Sequence, residues 1–219
     1  MQDLPPFTNH WDHYNKFHWT CTPRQANRIV SHFEQYKMAR GVPGEIVECG
    51  VFKGASFVRF ALFRQIFGDI YSKKLIGFDS FSKFPEPEFE PDRNRVKEFI
   101  DEAGSESIST EQLERVFANN DIRHYELTEG DVNTTIPEYV DSNPELRISL
   151  LNIDINVYEG TKTILDEFYP RVVSGGVILF DDYGKSHETT RVIDEYLSES
   201  ELDIKKLVFA RQSPCAIKL

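Results

Sequence analysis

Short apolar runs alternate along the chain with amphipathic segments of helical spacing. The runs typical of buried strands are Glu45 to Cys49, Lys74 to Phe78, His124 to Thr128, Arg147 to Ile153 and Gly176 to Phe180. Helical patterns are predicted at about 55–67, 110–118, 160–168 and 190–197. Because continuous apolar strands joined by helices need cover on both faces, the pattern predicts an α/β fold with a mostly parallel, doubly wound sheet.

The two ends of the chain depart from this alternation. The first twenty residues are predicted to be irregular, and Thr22 and Pro23 then begin a helix that ends near Gly41. Two short C-terminal runs, 206–209 and 215–218, are predicted to form an antiparallel pair. We therefore expect a single domain over 1–219, with an N-terminal arm and helix over 1–43.

Acidic residues are concentrated in one central segment. The formal net charge is -11 at pH 7, and the segment from Glu86 to Glu145 holds 17 acidic and 5 basic side chains. The rest of the chain is nearly neutral, so we expect a solvated acidic lid insertion, at 84–120, over one side of a binding site. A chain this acidic, with no basic stripe, is not expected to bind nucleic acid.

The cysteines and the apolar runs indicate a compartment. Cys21, Cys49 and Cys215 are odd in number and lack the spacing of a metal site, which favours a reducing compartment over a disulfide framework. No apolar run approaches the ~18 residues of a membrane span, and the first thirty residues lack the apolar core of a signal peptide. The expected location is cytoplasmic, with no membrane partner.

Acidic residues stand at the carboxyl ends of the predicted strands, where α/β sheets bind their ligands. The first of them, Glu48, begins the loop Glu48-Cys-Gly-Val-Phe-Lys-Gly54. Its glycine spacing, G-x-x-x-G, differs from the dinucleotide pattern G-x-G-x-x-G and disfavours a nicotinamide enzyme. The Glu48 charge would repel a pyrophosphate and attract a cationic sulfonium or ammonium group. An ordinary strand-to-helix turn explains the loop equally well.

Two further strand ends carry candidate ligand contacts. Asp79 ends the second strand, where a carboxylate can accept hydrogen bonds from both hydroxyls of a ribose. Gly130 and Asp131 follow the third strand, where an adenine edge would lie. The competing interpretation of each acid is a cap: Asp79 of a turn, and Asp131 of a helix beginning at 134 or 135.

Three acids form the sharpest feature of the chain. Asp154, Asp181 and Asp182 end two strands that the predicted topology places side by side. Carboxylates converging on one point repel one another and are costly to desolvate unless a cation compensates them. Oxygen-only ligands favour Mg²⁺, Mn²⁺ or Ca²⁺ over zinc. The sequence therefore predicts a divalent cation site at this edge of the sheet.

The arm before the first predicted helix is rich in aromatic and histidine side chains. It holds His10, Trp11, His13, Tyr14, His18 and Trp19. Their spacing does not match a zinc motif. The arm could close over a substrate or pack on a partner subunit, and we favour packing over direct catalysis. A homodimer is one of the arrangements left open.

Together these motifs resemble the class I S-adenosylmethionine-dependent methyltransferases, and within that class the macrocin O-methyltransferase family, which methylates hydroxyls on antibiotic sugars. The similarity runs from about Glu45 to Tyr196. Its specific pieces are Glu48-Cys-Gly-Val-Phe-Lys-Gly-Ala-Ser56, Gly77-Phe-Asp-Ser-Phe81, Phe84-Pro-Glu-Pro87, Gly130-Asp131 with Thr135-Ile-Pro137, Asp154-Ile-Asn-Val-Tyr-Glu159, and Tyr169-Pro170 with Gly175-Gly-Val-Ile-Leu-Phe-Asp-Asp-Tyr183. The resemblance implies a Rossmann-like class I methyltransferase fold.

The resemblance also implies where each ligand binds. S-adenosylmethionine would be held by Glu48, Gly50, Phe52, Gly54, Ala55 and Ser56, by Asp79, Ser80 and Phe81, and by Gly130 and Asp131. Mg²⁺ or Mn²⁺ would be bound by Asp154, Asp181 and Asp182. The catalytic centre would contain Asp154, Asn156 and Asp182, with Tyr158 and Tyr183 at the acceptor, a small molecule or glycan.

Asn156 departs from the family pattern, which has a second Asp at this position, proposed as the general base. An amide cannot accept a proton, so this assignment does not transfer. Either a metal alone acidifies the acceptor hydroxyl, another group takes the proton, or the chain binds S-adenosylmethionine without catalysing transfer. A catechol-type O-methyltransferase acting on a planar diol is the remaining alternative.

Overall fold

Seven strands form one sheet in the computed structural model, which describes residues 9–83, 90–198, 204–205, 207 and 214–219. The strands are β1 (Glu45–Cys49), β2 (Leu75–Asp79), β3 (Tyr125–Glu129), β4 (Ile148–Ile153), β5 (Val172–Phe180), β6 (Ile204–Lys205) and β7 (Cys215–Ile217). Their order is β3-β2-β1-β4-β5-β7-β6, with β1 to β5 parallel and β7 antiparallel to both β5 and β6. The predicted parallel sheet with an antiparallel C-terminal pair is confirmed.

Helices cover both faces of this sheet. In the described part of the chain they are α1 (His10–Thr20), α2 (Pro23–Arg40), α3 (Ala55–Phe67), α4 (Glu90–Ala103), α5 (Thr110–Asn119), α6 (Val132–Ser142), α7 (Tyr158–Phe168) and α8 (His187–Ser198). Alternation along β1 places Val47 and Cys49 in an apolar layer with α6, α7 and α8, and Ile46 in a second layer with α2, α3 and α5. None of the described helices is long and apolar enough to cross a membrane.

Two helices lie where the sequence pattern predicted irregular or polar chain. From His10 onward, α1 contradicts the predicted irregular arm: Asn9 and Asp12 form a capping box, in which Asn9 Oδ1 accepts a hydrogen bond from the Asp12 amide at 3.1 Å. No residue of α1 is buried, so it carries no apolar stripe facing a core. The second, α4, lies in the predicted lid.

Two predicted segments fall partly outside the described residues. Of the predicted lid at 84–120, residues 84–89 lie outside them, and α4 and α5 form most of the rest. The predicted strand at 206–209 also lies outside them, except for residue 207, and β6 precedes it.

Backbone contacts link the turns at the carboxyl ends of the parallel strands. The Asp154 amide donates a hydrogen bond to the Cys49 carbonyl at 2.9 Å, and the Asp181 amide donates one to the Ile153 carbonyl at 3.1 Å. Gly50 has a φ of +91°, and a Cβ at this position would lie 2.0 Å from the Asp154 carbonyl oxygen. The turns after β1, β4 and β5 are therefore held in fixed positions by main-chain atoms.

Candidate functional site

A cavity of about 1480 Å³ opens at the carboxyl ends of the parallel strands. The predicted site residues on its wall are Gly50, Phe52, Asp79, Ser80, Gly130 and Asp131 on one side, and Asp154, Asn156 and Tyr158 on the other. The remaining predicted site residues, all of them described by the structure, are not part of this wall: Glu48, Gly54, Ala55, Ser56, Phe81, Asp181, Asp182 and Tyr183. The sequence therefore predicted the position of the cavity, but not which of the predicted residues line it.

Glu48 lies behind the cavity wall, on the side of the sheet that α2 and α3 cover. Its side chain is fully buried, and the Ser56 hydroxyl donates a hydrogen bond to its Oε1 at 2.7 Å. Burial raises the pKa of Glu48 to about 7, although the Ser56 hydrogen bond favours the ionised form. Glu48 was predicted to face a cationic ligand; in this geometry it supports the loop from behind instead.

The loop between β1 and α3 adopts a conformation that few side chains tolerate. Phe52 has a φ of +48°, in the left-handed region. Gly54, with a φ of +79°, is the N-cap of α3 and offers no side-chain cap to the first turn, which contains Ala55 and Ser56. Such backbone strain persists only where the surrounding structure holds it, as it does at many binding sites.

Asp79 fastens this loop to the segment before α5. Its Oδ2 accepts hydrogen bonds from the Val51 and Phe52 amides at 2.8 and 2.9 Å. Its Oδ1 accepts hydrogen bonds from the Phe81 amide at 2.7 Å and from the Ser107 hydroxyl at 3.0 Å. A carboxylate offers about four acceptor positions, so donors of the chain occupy all of them. A ribose hydroxyl would have to replace one donor, and Ser107, the side-chain donor, is the one that can rotate away.

Asp131 caps a helix, as one of its two interpretations predicted. Its Oδ1 accepts a hydrogen bond from the Asn133 amide at 2.9 Å, and the helix begins at Val132 rather than at 134 or 135. Gly130 has a φ of +139°, and its amide donates to the Asp79 carbonyl at 3.0 Å. Because Gly130 and Asp131 also line the cavity, the cap does not remove them from the site.

The three carboxylates predicted to converge lie together in the structure. One oxygen from each of Asp154, Asp181 and Asp182 lies within 4.8 Å of the other two. Burial, and then repulsion from Asp181 and Asp182, raises the pKa of Asp154 well above its usual range, and Arg28 partly offsets this. The donor set contains oxygen only, which suits Mg²⁺ or Mn²⁺ better than zinc.

Two basic side chains that the sequence analysis missed lie against this acid cluster. Arg28 of α2 places Nη2 2.5 Å from Asp181 Oδ2 and 3.6 Å from Asp154 Oδ2. Lys185 places Nζ 3.6 Å from Asp181 Oδ2 and 3.9 Å from Asp182 Oδ1. The spacing of three and four residues could have indicated Lys185. No local pattern indicates Arg28, because it is 153 residues away from Asp181.

The far wall of the cavity is formed by α7 and α8. The Tyr158 hydroxyl donates a hydrogen bond to Glu195, and Arg191 donates to the same carboxylate at 2.8 Å while lying 5.4 Å from the centre of the Tyr158 ring. Tyr183 instead donates to Asp194 at 2.7 Å. Of the two tyrosines predicted at the acceptor, Tyr158 reaches the cavity and Tyr183 braces α8 behind it.

Comparison with known proteins identifies the family to which the chain is similar. The family model described as Macrocin-O-methyltransferase (TylF) matches residues 17–207. The chain is 29% identical to the 8-demethyl-8-(2,3-dimethoxy-alpha-L-rhamnosyl)-tetracenomycin-C 4'-O-methyltransferase of Streptomyces olivaceus, over 67% of this chain and 55% of that protein. It is 26% identical to the demethyldecarbamoylnovobiocin O-methyltransferase of Streptomyces niveus, over 75% of this chain and 62% of that protein. The chain therefore spans less than two thirds of the length of these relatives.

Two solved structures share the fold. CalS11, a calicheamicin methyltransferase, aligns with a TM-score of 0.73 and 22% identity, over 95% of this chain and 85% of that one. The O-methyltransferase NovP aligns with a TM-score of 0.73 and 22% identity, over 88% of this chain and 79% of that one. At this identity the likeness concerns the fold alone, which is that of class I methyltransferases. Because the family model covers most of the chain and the fold agrees with it, the chain belongs to the macrocin O-methyltransferase family.

Proposed function

We propose that this protein transfers a methyl group from S-adenosylmethionine to a hydroxyl of a sugar, or of a glycosylated or nucleotide-linked small molecule. The observation that carries the proposal is the cavity of about 1480 Å³ between the loop after β1 and the wall that contains Asp154. This volume exceeds the ~300–1,000 Å³ of an ordinary ligand pocket, so it suits a methyl donor and an acceptor side by side. Membership of an O-methyltransferase family supports the same reaction.

The charge of the cavity fits a sulfonium ligand. Its lining contains six carboxylate side chains and only two basic ones, Lys83 and Arg191. The cavity therefore attracts a cation and repels a polyanion. We assign S-adenosylmethionine to the side that contains Gly50, Phe52, Ser80, Gly130 and Asp131. The remaining residues predicted for this ligand would act on it indirectly, by holding the loop: Glu48, Gly54, Ala55, Ser56 and Phe81. Asp79 belongs to both groups, since it lines the cavity and anchors the loop.

The acid cluster fits a divalent cation. Its three oxygen ligands lie within 4.8 Å of one another, and Mg²⁺ and Mn²⁺ prefer such ligands. We assign Mg²⁺ or Mn²⁺ to Asp154, Asp181 and Asp182. When bound there, the ion would supply positive charge that lowers the pKa of a neighbouring acceptor hydroxyl.

The chain itself would act mainly by positioning. The bond from the acceptor oxygen to the methyl carbon forms as the sulfur–carbon bond breaks, and the sulfur leaves as a neutral thioether that needs no acid. Holding oxygen, carbon and sulfur in line can supply ~7–11 kcal/mol of the barrier reduction. Asn156 lines the cavity and would orient the acceptor, because its amide cannot take the hydroxyl proton. That proton would leave to water or to another group on the wall.

Methyl transfer from radiolabelled S-adenosylmethionine tests the proposal. The purified protein would be assayed with a panel of free, nucleotide-linked and glycosidically bound sugars and with catechols, in chelator and after addition of Mg²⁺ or Mn²⁺. We expect label on a sugar hydroxyl, loss of transfer in chelator, and recovery with either metal. Asp182→Asn should abolish transfer, whereas Asp166→Asn, an exposed acid of α7, should not change it.

Each other outcome identifies a different error. Full transfer in excess chelator, with no metal in the purified protein, would remove the metal and keep the methyltransferase. Label on the catechols alone would support the planar-diol alternative. Binding of S-adenosylhomocysteine without transfer to any acceptor would support a non-catalytic protein. Absence of that binding would contradict the proposal as a whole.

A further inference from the structure

The guanidinium of Arg28 supplies positive charge beside the acid cluster formed by Asp154, Asp181 and Asp182. Its Nη2 lies 2.5 Å from Asp181 Oδ2 and 3.6 Å from Asp154 Oδ2, so it joins the ends of β4 and β5. Lys185 compensates the cluster from within the loop that follows β5. Arg28, in contrast, belongs to α2, a helix from the N-terminal part of the chain that packs against the sheet.

A divalent cation and the Arg28 guanidinium require the same oxygen atoms. Mg²⁺ binds carboxylate oxygens at about 2.0–2.1 Å, so an ion ligated by Asp154 and Asp181 would lie against Nη2, where like charges repel. With all three carboxylates ionised, as metal ligands are, the cluster together with Arg28 and Lys185 carries one net negative charge. A divalent ion added to these five side chains would make the net charge positive. If Arg28 withdraws first, the three carboxylates, Lys185 and the ion together are neutral.

The surroundings of Arg28 allow its side chain to leave. The side chain is 38% exposed, so the guanidinium has a path into solvent. Further along α2, Ser31, Tyr36 and Ala39 are buried and hold the helix on the sheet. Rotation of one side chain, with the helix in place, is then sufficient to free the acid cluster.

We propose that Arg28 is a built-in counter-ion of the acid cluster, which holds the carboxylates together before a divalent cation binds and withdraws when it does. The inference rests on the divalent cation site proposed above. Because breaking the charge-assisted hydrogen bond to Asp181 opposes metal binding, Arg28 sets the metal affinity of the site. It lowers that affinity and, in exchange, stabilises the metal-free fold.

Mn²⁺ binding, measured by calorimetry together with thermal melting, distinguishes this role from a merely structural one. Arg28→Gln should bind Mn²⁺ at least about tenfold more tightly than the unchanged protein, and its metal-free form should melt at a lower temperature. Arg24→Gln removes an exposed arginine one helical turn earlier and should change neither property. Arg28→Lys keeps the charge on a shorter side chain and should show an intermediate Mn²⁺ affinity; it replaces Arg28→Gln if that variant does not fold.

The possible results separate this inference from the metal site itself. Tighter Mn²⁺ binding with a less stable metal-free form supports the counter-ion. If the unchanged protein binds Mn²⁺ and the Arg28 variants bind it equally or more weakly, the counter-ion is wrong and the metal site stands. If neither the unchanged protein nor any variant binds Mn²⁺, both proposals are wrong.

Discussion

Replacing Glu48 with Gln should remove a pH dependence of stability that the buried carboxyl imposes. Burial raises the pKa of Glu48 from 4.5 to about 7. Between these two values the folded protein keeps the proton and the unfolded chain has lost it. The stabilisation from the protonated carboxyl is therefore complete below pH 4.5, falls as the pH rises towards 7, and is lost above that.

The size of the effect follows from the two pKa values. Each pKa unit corresponds to ~1.36 kcal/mol, so the rise to about 7 should lower the free energy of unfolding by ~3 kcal/mol between pH 4 and pH 8. His32 acts in the opposite direction. Burial, and then the charge of Arg59, lowers the pKa of His32 from 6.5 to about 3. The contribution of His32 to stability therefore grows as the pH rises from about 3 to 6.5. The unchanged protein alone would therefore not show the Glu48 effect clearly.

Urea unfolding of the unchanged protein and of Glu48→Gln, at intervals from pH 4 to pH 8, isolates the carboxyl. The His32 contribution is common to both proteins and cancels in the difference between their free energies of unfolding. That difference should move by ~3 kcal/mol in favour of Glu48→Gln as the pH rises, mostly between pH 5 and pH 7. Glu145→Gln, at an exposed position after α6, should give a constant difference. A constant difference for Glu48→Gln as well would refute the reasoning.

Three further substitutions, two of them paired with a control variant, test the loop and the catalytic centre. Gly50→Ala should lower the free energy of unfolding by several kcal/mol in a urea titration, because the new Cβ would lie 2.0 Å from the Asp154 carbonyl oxygen. Gly41→Ala should leave that free energy nearly unchanged, because no atom lies within 4 Å of its new Cβ. Asp79→Ala should weaken S-adenosylhomocysteine binding by ~1.5–3 kcal/mol in calorimetry. Ser107→Ala should not weaken it, because it removes the one donor that a ribose hydroxyl would have to replace at Asp79. Unchanged affinity in Asp79→Ala would remove Asp79 from the site. Asn156→Asp should raise the rate of methyl transfer by up to ~10²–10⁴-fold by adding a base, and a rate that stays unchanged would show that the proton already has another acceptor.

The elements that could be predicted from the sequence are those that carry their own periodicity. β1 and α3 begin and end where the apolar pattern predicted, because their side chains enter the two layers of the core. The helices missed, α1 and α4, are mostly polar. In α1 no residue is buried, so its helical conformation depends on the capping box at Asn9 and Asp12 rather than on an apolar stripe.

The candidate site could be predicted in position but not in detail. The acid cluster followed from parallel strands ending at one edge, which is a property of the fold. The orientation of Glu48 depends on strand alternation: it follows Ile46 by two residues and so lies on the same face, behind the cavity. The contact between Arg28 and Asp181 depends on how α2 packs against β5. No local sequence pattern predicts a contact between residues 153 positions apart.

The close approach of Gly50 to the Asp154 carbonyl has a consequence for how such a scaffold diversifies during evolution. The loop assigned to the methyl donor and the first acid of the cation cluster are fixed to each other through main-chain atoms. The main-chain contact between Gly50 and Asp154 itself contains no atom of α7 or α8. If the chain transfers methyl groups as proposed, mutations on those helices can change which acceptor is held while the loop after β1 and the acid cluster keep their relative positions.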